Sequence, residues 1–187
     1  MPRPPKYPIV PETRLTGARW LIEGLGSFRV ERGIPQLLKQ VDAEWLGLKH
    51  EDDDWSASWE FYLLGQEREE RFVVMDEDDR TVAAWLDHNR LVNGNAYRLD
   101  FFKVRPDMQG KGLGEFVLGL IGLRAQELGA ERIVFQPLPK SEAFYREKIG
   151  ATKCTDWKGG EGLPNLQVGA EALKKLEGIL DGYRIEG

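Results

Sequence analysis

The stretch VRPDMQGKGLGE, residues 104–115, decides the fold of this 187-residue chain. Its three glycines, at positions 110, 112 and 114, follow a segment typical of a β-strand and open a segment typical of a helix. The first turn of a helix has N–H groups without partners in the helix, and glycines leave these groups open to an anion. Lys111 adds a positive charge, and no acidic residue lies between positions 109 and 114. The stretch therefore predicts a site for an anionic ligand such as a phosphate.

Two familiar phosphate-binding loops do not fit this stretch. A dinucleotide loop requires the spacing G-x-G-x-x-G, whereas the glycines here alternate and follow an antiparallel meander. A nucleotide-hydrolase loop requires a glycine five residues before its Gly-Lys pair and a Ser or Thr after it. Arg105 and Gly112 occupy those positions.

The hydrophobic pattern predicts the elements on both sides of the stretch. Upstream, RFVVM and TVAAWLDH flank the acidic turn DEDDR, and AYRLDFFKVR follows the turn NGN, which indicates three antiparallel strands. Downstream, a helix from Leu113 is expected to end at Gly129, and RIVFQ then follows in the order of a βαβ crossover. SEAFYREKIGA predicts a second helix between Ser141 and Gly150. TKCTDW and LPNLQV predict a hairpin around KGGEG, and EALKKLEGIL predicts a final helix.

The first third of the chain has weaker patterns. Five prolines within residues 1–14 predict a loose or extended arm over residues 1–16, followed by one domain over residues 17–187. SFRVERG is expected to form the first strand, and GIPQLLKQVDAEWLGL a helix with Pro35 in its first turn. Residues 55–63 indicate a short helix with Asp54 as its N-cap.

Composition excludes several classes of function. The net charge of −5 and the pI near 5.2 argue against duplex nucleic acid or an anionic membrane surface as the main partner. The single cysteine, Cys154, allows no internal disulfide, and no apolar run approaches the length of a membrane span, so a cytoplasmic location is expected. His50 and His88 match no metal-ligand spacing, and no metal is expected.

The hexapeptide QGKGLG resembles motif A of the GNAT acetyltransferase superfamily, Q/R-x-x-G-x-G/A, with Gln109, Gly112 and Gly114 at its defined positions. SEAFYREKIGA is similar to a later helix of that family, in which an aromatic–Tyr pair precedes a glycine by four or five residues. The resemblance covers about residues 27–168. It implies a mixed α+β fold: a central, mostly antiparallel twisted sheet of about six to seven strands, flanked by helices and splayed at the strand before motif A.

The resemblance also implies acetyl-CoA as the acyl donor. Backbone N–H groups of motif A would hold the pyrophosphate, which assigns six residues to cofactor binding: Gln109, Gly110, Lys111, Gly112, Leu113 and Gly114. The pantetheine arm would lie between the main chain of Phe102 to Val104 and that of Phe135 to Gln136. An N–H group near Val104 would stabilise the oxyanion of the tetrahedral intermediate.

Tyr145 takes the position of the family's general acid, which returns a proton to the departing thiolate. The alternative is a core aromatic on an amphipathic helix. Asp100 is a candidate base because it alternates with Phe102 and Val104 along one strand, and the alternative, which the sequence favours, is a structurally paired or solvent-facing carboxylate. His88 is a second candidate, and water a third. Where the family often has an Asn that binds the cofactor, this chain has Leu138.

The predicted function is transfer of an acetyl group to a primary amine of a small molecule or a protein, by direct attack in a ternary complex. The acidic runs HEDDDW and MDEDDR would attract a cationic acceptor or serve as solvated turns, and tryptophans such as Trp85 would line an acceptor pocket or the core. A non-catalytic CoA-sensing or partner-binding member of the family and a purely structural domain stay open as alternatives. The apolar stripe of the last helix would allow a homodimer.

Overall fold

A computed structural model of the chain describes residues 13–32, 70–93 and 95–185. The helices predicted from positions 34 and 55, the run HEDDDW and most of the N-terminal arm lie outside the described residues, as does the side chain of His88. Among the described residues, no helix combines the length and apolar character needed to cross a membrane.

Among the residues that the structure describes, nine strands form one mixed sheet: β1 (Arg19–Ile22), β2 (Gly26–Arg32), β3 (Glu70–Met75), β4 (Thr81–Val92), β5 (Ala96–Val104), β6 (Arg132–Phe135), β7 (Thr152–Lys153), β8 (Leu166–Val168) and β9 (Arg184–Ile185). Their order in the sheet is β7-β8-β6-β5-β4-β3-β2-β1-β9. Neighbouring strands are antiparallel except for β5 and β6, which are parallel.

The predicted three-strand meander is confirmed as β3, β4 and β5. In the first turn, the Asp76 carboxylate accepts hydrogen bonds from the N–H groups of Asp78 and Arg80 at 2.9 and 3.0 Å. Asp79 there and Asn95 in the second turn have φ of 59° and 57°, a left-handed conformation that Asp and Asn tolerate better than most residues. The turn chemistry therefore fixes both hairpins locally.

Three helices in the described ranges accompany the sheet. Helix α1 (Leu113–Glu127) connects β5 to the parallel β6, which confirms the βαβ crossover, and Gly129 follows it with φ of 78°. Helix α2 (Glu142–Phe144) continues into a π turn (Tyr145–Ile149) that ends at Gly150, with φ of 80°. Ser141 occupies the N-cap position of α2 without a side-chain cap hydrogen bond. Helix α3 (Ala170–Asp181) is the predicted final helix.

The hydrophobic core lies between the sheet and helices α1 and α3. Two glycines let these helices approach closely, because a Cβ at Gly119 would lie 3.0 Å from the carbonyl oxygen of Leu176, and one at Gly122 would lie 3.2 Å from Leu173. A charged network is buried beside the core: Arg124 of α1 donates two hydrogen bonds to the Glu70 carboxylate of β3, at 3.0 and 2.8 Å.

The sequence prediction needs two corrections at the sheet's edge. The described part of the chain contributes nine strands to the sheet rather than six to seven, because β1 and β9 pair with each other beyond β2. The predicted arm also extends too far, since Leu15 is fully buried and the Thr13 hydroxyl donates to Glu127 of α1 at 2.8 Å. Residues 13–16 therefore belong to the packed fold.

Candidate active-site cleft

A cleft opens where β5 and β6 separate. The two strands pair only over Ala96–Arg98 and Arg132–Val134, while β5 continues to Val104. After Phe135 the chain turns away from β5 through Gln136 and Pro137. The space between the separated ends has a volume of about 530 Å³ and extends to the glycines before α1. The predicted splay at the strand before motif A is therefore present.

The glycine stretch forms the mouth of this cleft. A short 3₁₀ turn (Pro106–Met108) follows β5, and Gly110 and Gly112 then adopt left-handed conformations with φ of 74° and 85°. The N–H group of Phe116 donates to the Gly112 carbonyl at 3.2 Å. The N–H groups of residues 113–115 precede this bond and have no acceptor within the helix, so they are available to an anion.

The six residues predicted to bind cofactor do not share one role. Gly110, Gly112 and Gly114 line the cleft, as does Gln109, whose side-chain amide also donates to the Val104 carbonyl at 3.0 Å and so ties the loop to the end of β5. The side chain of Leu113 is fully buried in the core, which leaves only its backbone to face a ligand. Lys111 is exposed and lies outside the cleft lining.

Tyr145 lines the wall opposite β5. Its ring centroid lies 4.6 Å from that of Phe135 and 5.3 Å from that of Phe144, and only 7% of the residue is exposed. Burial raises the pKa of Tyr145 above the usual value for tyrosine, because it disfavours the phenolate. The phenol therefore keeps its proton at neutral pH and can donate it. Tyr145 is both a packed aromatic and a cleft residue.

Asp100 lies on the cleft at a β-bulge. Leu86 of β4 pairs with Phe101 and the next residue, Asp87, pairs with Leu99, which leaves Asp100 as the extra residue of β5. Its side chain is 6% exposed, and its Oδ1 forms a salt bridge with Nε of Arg98 at 2.6 Å. Phe102 and Val104 also line the cleft, so the structure brings these three residues of β5 together with Tyr145 and the glycine stretch.

Comparison with known proteins identifies the family. The model of the acetyltransferase (GNAT) family matches residues 35–151, which is more than half of the chain. The chain belongs to the GNAT family. Members of this family are in general acyl-CoA N-acetyltransferases. No curated protein matches the sequence.

Solved structures share the GNAT fold at low sequence identity. Tetrahymena GCN5 has a TM-score of 0.56 and 12% identity, covering 73% of this chain and 86% of its own. Mutant forms of the spermidine/spermine N-acetyltransferase SpeG from Vibrio cholerae have a TM-score of 0.56 and 11% identity, covering 80% and 99%. The ribosomal-protein-S18-alanine N-acetyltransferase from Escherichia coli has a TM-score of 0.54 and 16% identity, covering 76% and 94%. These likenesses establish the fold alone.

Sequence reasoning missed two lysines of this GNAT cleft. Lys140 and Lys148 lie on its rim, before and within the segment that carries Tyr145, and Lys148 approaches Glu115 of α1 to 4.0 Å. The basic residues around FY were the signal available in the sequence. Leu138, which stands where the family often has Asn, lies on the same wall and offers only its backbone for a hydrogen bond.

The other predicted features lie away from the cleft. The acidic turn of MDEDDR does not line it, and three of its four carboxylates pair with arginines, Asp76 and Asp78 with Arg80 and Asp79 with Arg29. Trp85 is fully buried and stacks on Phe72, so it is a core residue. Among the residues that the structure describes, no group of three or more His, Cys, Asp or Glu could hold a metal ion.

Proposed function

We propose that this GNAT protein transfers an acetyl group from acetyl-CoA to a primary amine of a small molecule or a protein, by direct attack in a ternary complex. The observation that supports the proposal best is the cleft between β5 and β6, which ends at the open N–H groups of the α1 N-terminus. The glycine stretch suits a pyrophosphate, and the Tyr145 phenol lines the same cleft. A long thioester with an anionic head fits this arrangement.

The donor is held mainly by main-chain groups in this proposal. The pyrophosphate lies against residues 110–114, where two left-handed glycines turn the backbone toward the cleft. The pantetheine arm enters between Phe102–Val104 and Phe135–Gln136. The β5–β6 ladder ends at Arg98 and Val134, so β6 no longer engages this edge of β5 and an extended ligand can add to it as a strand does.

The proposed reaction consists of nucleophilic attack, cleavage of the carbon–sulfur bond and two proton transfers. The neutral amine nitrogen attacks the thioester carbonyl carbon, and an N–H group near Val104 stabilises the oxyanion that forms. The carbon–sulfur bond then breaks as the carbonyl re-forms. Tyr145 donates its proton to the departing thiolate, a role that contributes a factor of about 100–10,000 in such reactions. The attacking nitrogen loses one proton, the Tyr145 phenolate regains one from solvent, and the products are the amide and free CoA.

Among the described residues, we propose Asp100 as the acceptor of the proton that the attacking nitrogen loses. It lies on the cleft, and its Oδ1 is 2.6 Å from Nε of Arg98. A carboxylate there also attracts the ammonium form of the acceptor before the proton is lost. Asp100→Asn is expected to slow thiol release at saturating amine while leaving the affinity for acetyl-CoA unchanged.

Calorimetry with acetyl-CoA, followed by a thiol-release assay with a panel of amines, tests the proposal. Saturable binding and amine-dependent release of CoA are expected. Absence of binding at millimolar acetyl-CoA would contradict the proposal as a whole. Binding without thiol release across a broad amine panel would instead favour the alternative, a non-catalytic member that senses CoA or binds a partner. The cytoplasmic location and the homodimer stay predictions.

A further inference from the structure

The side chain of Gln136 anchors the wall of the cleft that is formed by Phe135, Gln136 and Pro137. Strand β6 pairs with β8 through Phe135, and Gln136 is the next residue. Its Nε2 donates to the carbonyl of Gly160 at 2.7 Å, and its Oε1 accepts from the N–H group of Gly160 at 2.8 Å. One carboxamide thus exchanges two hydrogen bonds with one residue, as two peptide groups do in a sheet. The side chain therefore extends the attachment of β6 beyond the last ladder pair.

Further contacts join Gln136 to the same loop, residues 158–165. Its Nε2 also lies 3.2 Å from the Leu163 carbonyl and 3.0 Å from Oδ1 of Asn165. That Oδ1 in turn accepts from the N–H group of Gly159 at 2.9 Å. We call this set, Gln136 with Gly159, Gly160, Leu163 and Asn165, the amide clamp.

Gly159 is fitted to the Gln136 side chain. A Cβ at Gly159 would lie 2.2 Å from Oε1 and 2.3 Å from Cδ of Gln136, far inside van der Waals contact. Any larger residue at 159 would therefore displace the carboxamide from Gly160. The loop and the side chain form one unit, so a substitution at either Gln136 or Gly159 disrupts the same contacts.

The amide clamp lies just beyond the point where β6 stops pairing with β5. The β5–β6 ladder ends at Val134, and Pro137, which follows Gln136, has no N–H group for a ladder. The ring of Phe135, which packs against Tyr145, immediately precedes the clamped residue. Motion of Gln136 would therefore shift both the main chain of the wall and the contact surface of Tyr145.

We propose that Gln136 is a positioning residue for the acyl donor. Its side chain fixes the wall from outside, so that the main chain of Phe135 and Gln136 faces the pantetheine arm in a set geometry. This inference rests on the proposed function, because it assigns the wall to that arm. It predicts that loss of the amide clamp affects the pantetheine arm and leaves the pyrophosphate site at residues 110–114 intact.

The variant Gln136→Ala tests the binding of the two parts of the donor separately. Calorimetry is performed with acetyl-CoA and with 3′-phosphoadenosine 5′-diphosphate, the nucleotide half of CoA that lacks the pantetheine arm. We expect the Kd for acetyl-CoA to rise about tenfold, the equivalent of one or two hydrogen bonds, and the Kd for the nucleotide to change less than twofold. Equal weakening of both ligands would show general loosening and overturn the inference.

A double-mutant cycle with Gly159→Ala provides the matched control. Alone, Gly159→Ala is expected to weaken acetyl-CoA binding about as much as Gln136→Ala, because its Cβ displaces the carboxamide. In the Gln136→Ala background it is expected to add less than a factor of two, since the obstructed side chain is gone. Additive losses would overturn the inference.

Two further outcomes complete the test. If Gln136→Ala does not fold, as judged by thermal unfolding, Asn165→Ala replaces it, and a rise of about threefold in the Kd for acetyl-CoA alone is expected. If the unaltered protein binds acetyl-CoA and every variant binds it equally well, the inference fails and the proposed function stands. If the unaltered protein does not bind acetyl-CoA, both fail.

Discussion

Replacing Gly112 by alanine is expected to weaken binding of acetyl-CoA without a steric clash. Gly112 has φ of 85°, and a Cβ built there would meet no atom within 4 Å. The substitution therefore changes only the backbone preference. An L-residue in this left-handed conformation costs about 1–2 kcal/mol relative to glycine. The folded chain either keeps the loop and carries this strain or rotates the loop out of the left-handed region.

The structure gives both consequences a magnitude. A strained loop lowers the melting temperature by about 2–8 °C, because a domain of this size loses about 2–4 °C for each kcal/mol. A rotated loop turns the N–H groups that follow Gly112 away from the pyrophosphate. Loss of one hydrogen bond to a charged group is about 1.5–3 kcal/mol, which corresponds to a rise of about ten- to a hundredfold in the Kd for acetyl-CoA.

Gly129→Ala is the matched control. Gly129 has φ of 78°, likewise meets no atom within 4 Å, and follows the opposite end of the same helix α1. The two variants are expected to lose similar stability in thermal unfolding, while calorimetry shows weaker acetyl-CoA binding only for Gly112→Ala. A similar loss of affinity in both variants, or unchanged affinity in Gly112→Ala, would refute the assignment of this loop to the pyrophosphate.

Four shorter predictions follow from other contacts. Tyr145→Phe should preserve acetyl-CoA binding and slow thiol release by about 100–10,000-fold, and equal loss of both would indicate a folding role. Burial raises the pKa of Tyr145, so the unfolded chain loses the phenol proton first and stability should fall as pH rises above about 10; urea unfolding at several pH values should show a shallower fall for Tyr145→Phe. Arg124→Met removes the bidentate partner of the buried Glu70 and leaves that carboxylate its salt bridge to Arg32 at 3.0 Å, so it should cost about 1.5–3 kcal/mol in urea unfolding, with partial recovery on adding Glu70→Gln. Gly119→Ala should destabilise the protein despite better helix propensity, because its Cβ would meet the Leu176 carbonyl oxygen at 3.0 Å. The control Gly178→Ala, at an exposed position of α3, should stabilise the protein by about 0.5–1 kcal/mol. A stabilised Gly119→Ala would show that α1 and α3 can separate freely.

The sequence predicted best where local chemistry determines the backbone. The glycines at 110 and 112 have left-handed conformations, and the acidic turn before β4 is closed by its own Asp76 carboxylate. The βαβ crossover follows from a periodic helix between two apolar strands. In the first two cases the determining residues lie within a few positions of one another, and in the third each element has its own local pattern, so pattern and structure agree.

Long-range pairing explains what the sequence did not predict. Strand β9 has two residues and forms only because β1, more than 160 positions earlier, offers an edge to Arg184 and Ile185. The bulge that brings Asp100 to the cleft appears only in the register between β4 and β5. The cleft itself depends on where the β5–β6 ladder stops, and the described contacts around that point come from the separate loop at residues 158–165.

The π turn of α2 shows how the chain accommodates extra length beside the cleft. In an α-helix the carbonyl of Tyr145 would accept from the N–H group of Ile149, but here it accepts from those of Gly150 and Ala151, the latter at 2.9 Å. The turn is therefore wider by at least one residue than an α-turn. Tyr145 and Ile149 both remain buried, and Gly150 still ends the helix in a left-handed conformation. The widened turn begins at Tyr145, whose ring packs against those of Phe135 and Phe144. Deleting the exposed Glu147 should convert the turn toward α-geometry and rotate Tyr145 relative to Phe135. Thiol release should then fall more than the affinity for acetyl-CoA, and a variant with unchanged turnover would show that the π turn has no part in placing the phenol.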